Sequence, residues 1–288
     1  MITIAVSSSL GVSPEVAVVN PAVPAPVSET RAGRAPPSAN RVPVDGADLA
    51  AWAHGRSGYN MKHIGIVACS AEGAALCYRA ICEQALEAVG KNNHPRITLD
   101  SIPLAAWMPA FDAGDLDGVA AVMLDSARLL AGAGADFLIC PDNSAHLAWD
   151  QVQVATPLPW LHIAKVVGDE AARCGYRRVG VLGTRFTMDG PVYRDTLSAM
   201  AIEVAVPPPE DRELVDGIIF SELIDGVVTD ASRRAYQAVI ARLQARGCDA
   251  VALACTEIPL LIGSRDSPIP TLDSTRLLAV AALDEALT

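Results

Sequence analysis

The sequence predicts an α/β protein made of two similar halves, each a flavodoxin-like domain around a parallel four-stranded sheet. Three observations predict it. From Met61 onward, short β-branched runs alternate with longer Ala/Leu/Arg segments of helical spacing, as βα units around a parallel sheet require. One device occurs twice: "GADFLICPDNSAH" from Gly134 and "GCDAVALACTEIP" from Gly247 each carry a glycine, an aspartate two residues on, and an apolar run that stops at a polar pair. Counted from the glycine, Asp142 and Cys255 fall at the same place. Between the repeats, "TPLPW" from Thr156 to Trp160 breaks the pattern and separates the halves.

In chain order, residues 1–60 hold "NPAVPAPVSETRAGRAPPSAN", rich in Pro, Ala and Ser without sustained periodicity, and are expected to form a disordered extension. The start "MITIAVSSSLGVS" lacks the basic residues that precede the apolar stretch of a secretory signal. "MKHIGIVACS" opens the first domain. The expected strands are "HIGIVA", "ITLDSI", "DFLICP", "PWLHI", "RVGVLGT", "IEVAVP", "DAVALAC" and "PIPTLDS". The expected domains are 61–158 together with 266–288, and 159–265.

A chain of 288 residues suits two domains of about 100 to 150 residues each. An apolar fraction of 51% is ample for buried sheets. The formal charge of -11 and the lack of a Lys/Arg cluster argue against a nucleic-acid partner, which would need phosphates neutralised. There is no uninterrupted apolar run of the length a membrane span needs, about 18 residues. The seven cysteines, Cys69, Cys77, Cys82, Cys140, Cys174, Cys248 and Cys255, are odd in number and form no CxxC pair. That spacing suits neither a disulfide framework nor a zinc site, and free thiols in a reducing cytoplasm are expected.

Open parallel sheets bind ligands at the carboxyl ends of their strands. Asp142 and Cys255 are therefore both expected there, facing each other across a gap that one substrate carbon can bridge.

These motifs resemble the aspartate/glutamate racemase superfamily, which racemises amino acids without pyridoxal phosphate. The resemblance runs from Met61 to nearly the end. It is carried by "GIVACSAEG" followed by "CYRAI", by "CPDNSAH" at 140–146, "VGVLGTRFTMDGPVY" at 179–193, "IIFSELIDG" at 218–226 and "GCDAVALACTEIP" at 247–259. It implies two α/β domains related by a pseudo-two-fold axis, an active site in the cleft between them, no metal and no cofactor. It also implies a small amino acid or related carboxylate as the molecule bound, and a homodimer as the assembly.

In that family the two tips are usually Cys-Asn-Thr and Cys-Thr; here Asp142 stands in place of the first thiol. By the same match, Asn143, Ser144 and Thr256 would hold the substrate's α-carboxylate and ammonium, with Ser70, Thr184 and Thr187 as further polar contacts. Glu257 replaces the histidine of the glutamate-type branch, so the chain resembles the aspartate or hydantoin branch, and Glu257 joins the expected substrate-binding residues.

Inverting an α-carbon needs a base on one face, an acid on the other, and preset donors for the carbanion's charge. Cys255, just before the helix expected at "TEIP", should have its pKa lowered by the helix N-terminus, giving a thiolate base. Asp142 would be its opposite partner, the pair sharing one proton. Asp142 can equally be read as a helix cap, and Cys255 as a buried thiol like Cys77, Cys82 and Cys140. His146 and His162 read as scaffold.

Two places where aspartate-acting members carry cations hold Trp107 and Ile224, leaving Arg185 as the substitute. Without those cations a substrate's distal carboxylate would be buried unpaired, so an apolar or uncharged side chain is expected. The alternatives are a single-thiol decarboxylase of malonate-type acids and a ligand-binding member without turnover.

Overall fold

The computed structural model describes residues 61–288, and the extension expected for residues 1–60 lies outside the described residues. The described residues form one compact unit. Its first part runs β1 (Ile64–Ala68), α1 (Ala71–Val89), β2 (Ile97–Ser101), α2 (Leu104–Ala113), α3 (Leu116–Gly132), β3 (Phe137–Ile139), a 3₁₀ turn (Ser144–Ala148), α4 (Trp149–Gln153) and β4 (Trp160–Leu161). The second part begins with α5 (Ile163–Cys174), β5 (Arg178–Gly183), α6 (Arg185–Asp189), α7 (Val192–Ser198), β6 (Glu203–Ala205) and α8 (Pro209–Ser221). After a 3₁₀ turn (Leu223–Asp225) come α9 (Asp230–Ala245), β7 (Ala250–Ala254), α10 (Ile258–Leu261), β8 (Thr271–Asp273) and α11 (Ser274–Leu287). All eight expected strands are present.

The strands form two four-stranded parallel sheets, ordered β2-β1-β3-β4 and β6-β5-β7-β8. The same order occurs twice, as the sequence repeat requires. The boundary expected at residue 158 is corrected by one strand on each side. Trp160–Leu161 extends the first sheet beside β3, and Thr271–Asp273 extends the second beside β7. Each sheet thus takes the strand that follows it in sequence, the short connection being the one a parallel sheet adds most readily. Only α11 returns to the first half, packing against α1 and also against α5.

Alternation along the strands sorts the core. Ile64, Ile66, Phe137 and Ile139 meet Ile81 of α1 and Leu278 of α11 on one face of the first sheet. Val67, Leu138 and Cys140 meet Trp107, Met123 and Leu130 on the other. In the second sheet, Val179, Val181, Ala250 and Ala252 face Val167 and Leu197, while Leu182, Val251 and Leu253 face Val215, Tyr236 and Val239. Every residue of β1 and β7 is buried, as central strands covered on both faces must be.

The repeated device has one mechanical meaning in both halves. Gly134 and Gly247 end α3 and α9 at φ values of 86° and 87°, which a side chain would strain. The next N–H bonds back to the helix, Ala135 to the Leu130 carbonyl and Cys248 to the Leu243 carbonyl, both at 3.0–3.1 Å. The aspartate then takes the backbone N–H that starts the neighbouring strand: Asp136 from His63 at 2.7 Å, and Asp249 from Arg177 and Arg178 at 2.9 and 3.2 Å. Helix end, strand entry and register are fixed together, and the strand tips carrying Asp142 and Cys255 come out at equivalent places.

Candidate active site

The carboxyl ends of both sheets open into one cavity of about 330 Å³, lined from the first half by Ser70, Glu72, Ser101, Asp142, Asn143 and Ser144 and from the second by Thr184, Cys255, Thr256 and Glu257. Of the nine site residues expected from sequence, eight line this cavity. Thr187 is the exception and is corrected: its hydroxyl stands behind the wall, 3.2 Å from Ser144 Oγ and 3.4 Å from Thr184 Oγ1. It holds those two hydroxyls, themselves 2.9 Å apart, and so ties the halves together.

Glu257 is the centre of the polar network. Only 4% exposed, it accepts hydrogen bonds from Cys255 Sγ at 3.0 Å, Thr256 Oγ1 at 2.7 Å and Ser70 Oγ at 3.2 Å. Ser70 also caps α1 by accepting from the Gly73 N–H at 3.2 Å. Gly73 is required by the close approach here: a Cβ would lie 2.6 Å from Thr256 Oγ1 and 2.7 Å from Ser70 Oγ.

The expected depression of the Cys255 pKa is overturned. Burial raises it well above the ordinary thiol range, and the Glu257 carboxyl raises it further. The helix that follows, α10, has four residues and begins three positions away, too short and too far to offset either effect. The resting thiol therefore keeps its proton and shares it with the Glu257 carboxyl in the 3.0 Å hydrogen bond.

On the other side, Asp142 Oδ1 accepts the Ala145 N–H at 2.8 Å, so the capping role is present. Burial raises the Asp142 pKa from the usual carboxylate value, the Ala145 bond opposes this, and the Glu257 charge adds to it. Its backbone is held by His146. His146 Nε2 accepts the Ile163 N–H at 3.4 Å, so Nδ1 carries the proton and donates to the Asp142 carbonyl at 2.8 Å. Burial, then the neighbouring His162, keeps His146 neutral. His146 and His162 are scaffold, as expected, packed edge to face at 4.6 Å between ring centroids.

Asn143 lines the cavity, yet its amide is committed to joining the halves. Nδ2 donates to Ser274 Oγ at 3.1 Å and Oδ1 accepts from Tyr193 OH at 2.6 Å.

The remaining wall is apolar: Ile102, Leu104, Met108, Phe111, Phe186, Ile219, Phe220 and Ile224. Ile224 stands where expected. Trp107 is corrected; it is fully buried in the first-half core, and its helix neighbours Met108 and Phe111 face the cavity instead. Arg185 is no substitute cation either. Its guanidinium lies 4.5 Å above the Phe186 ring, 3.2 Å from Asp112 and 3.8 Å from Asp216, outside the lining. The lining carries three carboxyls, Glu72, Asp142 and Glu257, and no Lys, Arg or His.

Glu72, Ser101 and, Ile224 apart, this apolar wall were not found from sequence. The signal lay in the same rule that found the tips, since Glu72 opens the helix after β1 and Ser101 ends β2. Among the described residues, no helix is long and apolar enough to cross a membrane and no group of three His, Cys, Asp or Glu side chains is gathered as a metal would need.

Two repeated α/β halves bring a thiol and a carboxyl from the tips of opposite sheets to one cavity. The Asp/Glu/hydantoin racemase profile matches residues 64–282, and the chain belongs to that family of isomerases. The broad specificity amino-acid racemase RacX of Bacillus subtilis is 25% identical over 209 residues, 72% of this chain and 88% of that protein. A Yersinia pestis structure described as a candidate Asp/Glu racemase is 34% identical, with a TM-score of 0.74 over 79% of this chain and all of that one. The aspartate racemase homologue PH1733 of Pyrococcus horikoshii is 28% identical, with a TM-score of 0.70 over the same shares. Family membership supports an amino-acid racemase.

Proposed function

We propose that the protein inverts the α-carbon of an amino acid with an apolar or uncharged side chain, by proton transfer between Asp142 and Cys255. The observation that carries this reading is their position at the tips of opposite sheets, both lining one cavity. In one direction the Asp142 carboxylate takes the α-proton, and the Cys255 thiol gives its own to the opposite face. In the return direction the Cys255 thiolate that the forward turn leaves takes the α-proton, and Asp142, protonated by that same turn, gives its proton to the opposite face.

The charge that develops on the substrate carboxylate needs donors that are already oriented. The Ser144 and Thr184 hydroxyls, held in place by each other and by Thr187, are those donors, while the Ser70 and Thr256 hydroxyls already donate to Glu257. The substrate ammonium is the one cation in a site lined by three carboxyls, and Glu257 is its natural partner. A malonate-type dianion would meet those carboxyls with no cation to receive it, which argues against the decarboxylase alternative.

The test is incubation of apolar and polar amino acids with the protein in heavy water, followed by chiral separation and mass measurement. Wild type incorporates deuterium at the α-carbon and yields both enantiomers, whereas Cys255→Ala and Asp142→Asn lose inversion. Inversion at the full rate by Asp142→Asn removes that residue from the mechanism.

A further inference from the structure

We propose that Tyr193, Asn143 and Ser274 form a buried spacer that sets the gap between the two sheet tips, with Tyr193 a positioning residue for the proton transfer across that gap. The proposal rests on the reading of Asp142 and Cys255 as the proton-carrying pair. Asn143 directly follows Asp142 at the tip of the first sheet. Its Nδ2 donates to Ser274 Oγ at 3.1 Å, and that hydroxyl donates to the Leu253 carbonyl at 3.0 Å. Leu253 belongs to β7, two residues before Cys255. Two hydrogen bonds therefore lead from the neighbour of one proton carrier to the strand that ends at the other.

The direction of each bond follows from counting protons. A serine hydroxyl has one proton to give. Ser274 gives it to Leu253, so it accepts from Asn143, which turns Nδ2 toward Ser274 and Oδ1 toward Tyr193. The Tyr193 hydroxyl donates to Oδ1 at 2.6 Å and, among the described residues, is the only side chain that does so. Burial raises the Tyr193 pKa well above the ordinary phenol value, so the hydroxyl keeps the proton it donates. Tyr193, Asn143 and Ser274 are 1%, 3% and 0% exposed, and removing one partner leaves a buried polar group unpaired.

The two ends of the spacer are anchored separately. Tyr193 stands on α7 and packs with Val181, Leu197 and Ala252 against the second sheet. Ser274 opens α11, the helix that returns to pack on α1. The next residue of the first tip, Ser144, bonds Thr184, which follows β5 beside β7. Both residues after Asp142 are thus tied to the second half, and the first tip cannot draw away from the second without breaking these bonds. Inversion needs that constraint, because one α-carbon must stay within reach of both proton carriers, and a misplacement of about 1 Å costs about 100-fold in rate.

Two measurements test this on the full chain. In the first, an amino acid that the wild type inverts is incubated in heavy water, and deuterated molecules are sorted by configuration. Tyr193→Phe, which removes only the hydroxyl, should slow inversion by about tenfold or more and raise the share of label found in molecules of unchanged configuration. A carbanion facing a wider gap returns more often to the face it came from. Ser274→Ala cuts the other link, should shift the share in the same direction, and guards against misfolding of the tyrosine variant. A loss of folded protein lowers inverted and uninverted label in proportion, and that outcome in both variants overturns the proposal.

The second measurement needs no substrate. Amide hydrogen exchange, read by mass spectrometry, is followed in segments 140–148 and 250–257. Tyr193→Phe should speed exchange at both tips by about tenfold, the scale of one lost buried hydrogen bond. A change confined to α7 would sink the spacer. Should wild type invert no amino acid while both tips still respond, the spacer stands and the reading of the function falls.

Discussion

Replacing Ile224 with lysine should exchange the class of substrate the cavity accepts. Ile224 lines the cavity on the 3₁₀ turn Leu223–Asp225, and no lining residue is a cation. A substrate ending in a second carboxylate would lose water there and meet Glu72, Asp142 and Glu257. An uncompensated buried charge costs about 3 to 5 kcal/mol, and the cavity's contact with solvent at the exposed Glu72 places this case at the low end. At 1.4 kcal/mol per factor of ten, about 3 kcal/mol is roughly a 100-fold handicap in kcat/KM against aspartate or glutamate. An apolar side chain of leucine size gains about 2 kcal/mol on burial against the same wall. Wild type should therefore turn over leucine- or methionine-like amino acids at least about 100-fold better than aspartate or glutamate. Ile224→Lys should narrow or reverse that ratio, gaining with the acidic substrates and losing with the apolar ones. Chiral chromatography of each enantiomer at several concentrations, for both proteins, gives the ratios. Equal kcat/KM for glutamate and leucine in wild type would refute the argument from the missing cation.

Gly73→Ala should lower activity and cost about 1 to 3 kcal/mol of stability, because its Cβ would overlap Thr256 Oγ1 and Ser70 Oγ, neither of which is a flexible side-chain end; an unchanged melting curve with full activity would contradict this contact. Glu257→Gln keeps the side chain's shape and removes its charge, so the pH at which Cys255 reacts with iodoacetamide should fall, while racemisation drops by about 100-fold or more for want of a charged partner to the substrate ammonium. Site-resolved mass spectrometry reads the first effect, and a titration moving upward is the contrary outcome. His162 is lowered to about 4 by burial, below its unfolded value, so its stabilising contribution is complete above about pH 6.5 and is lost as pH falls toward 4. His162→Asn retains a cap for α5, where His162 Nδ1 accepts the Lys165 N–H, and should shed up to about 3 kcal/mol less stability over that window in denaturant titrations. Identical pH slopes in the two proteins would assign the acid sensitivity to other groups.

The fold was legible because its signals are local and repeated. A β-branched run and a helix ending at a left-handed glycine each act within a few residues, the aspartate two residues on marks where the strand enters although the neighbouring strand it anchors is 71 to 73 residues away, and the chain states the set twice. What each sheet takes as its fourth strand is a choice between distant segments, and the expected bounds, 61–158 with 266–288 and 159–265, gave each of the two edge strands to the opposite half. The pairings of Trp160–Leu161 and Thr271–Asp273 settle it. In the site, residues at strand tips were legible, since periodicity alone fixes where a tip falls. Which way a helical side chain turns was not: Trp107 and Met108 are adjacent, and only the packing of α2 decides that the first is core and the second is cavity wall.

Charge state was the least legible property, and Cys255 shows why. A thiol ahead of a helix reads as acidic when the helix is assumed long and the thiol exposed. Here the helix has four residues, the thiol is 9% exposed, and a carboxyl lies 3.0 Å away. The burial is tertiary, whereas the short helix and the carboxyl two residues on are local, and all three push the proton onto sulfur. At Asp142 burial likewise pushes the carboxyl upward, with the Ala145 N–H opposing it. Under the proposed function each of the two groups carries a proton in turn, and burial favours the protonated form of both. The lining holds no fixed cation, so the substrate's own ammonium is the one positive charge that such a site would have to place.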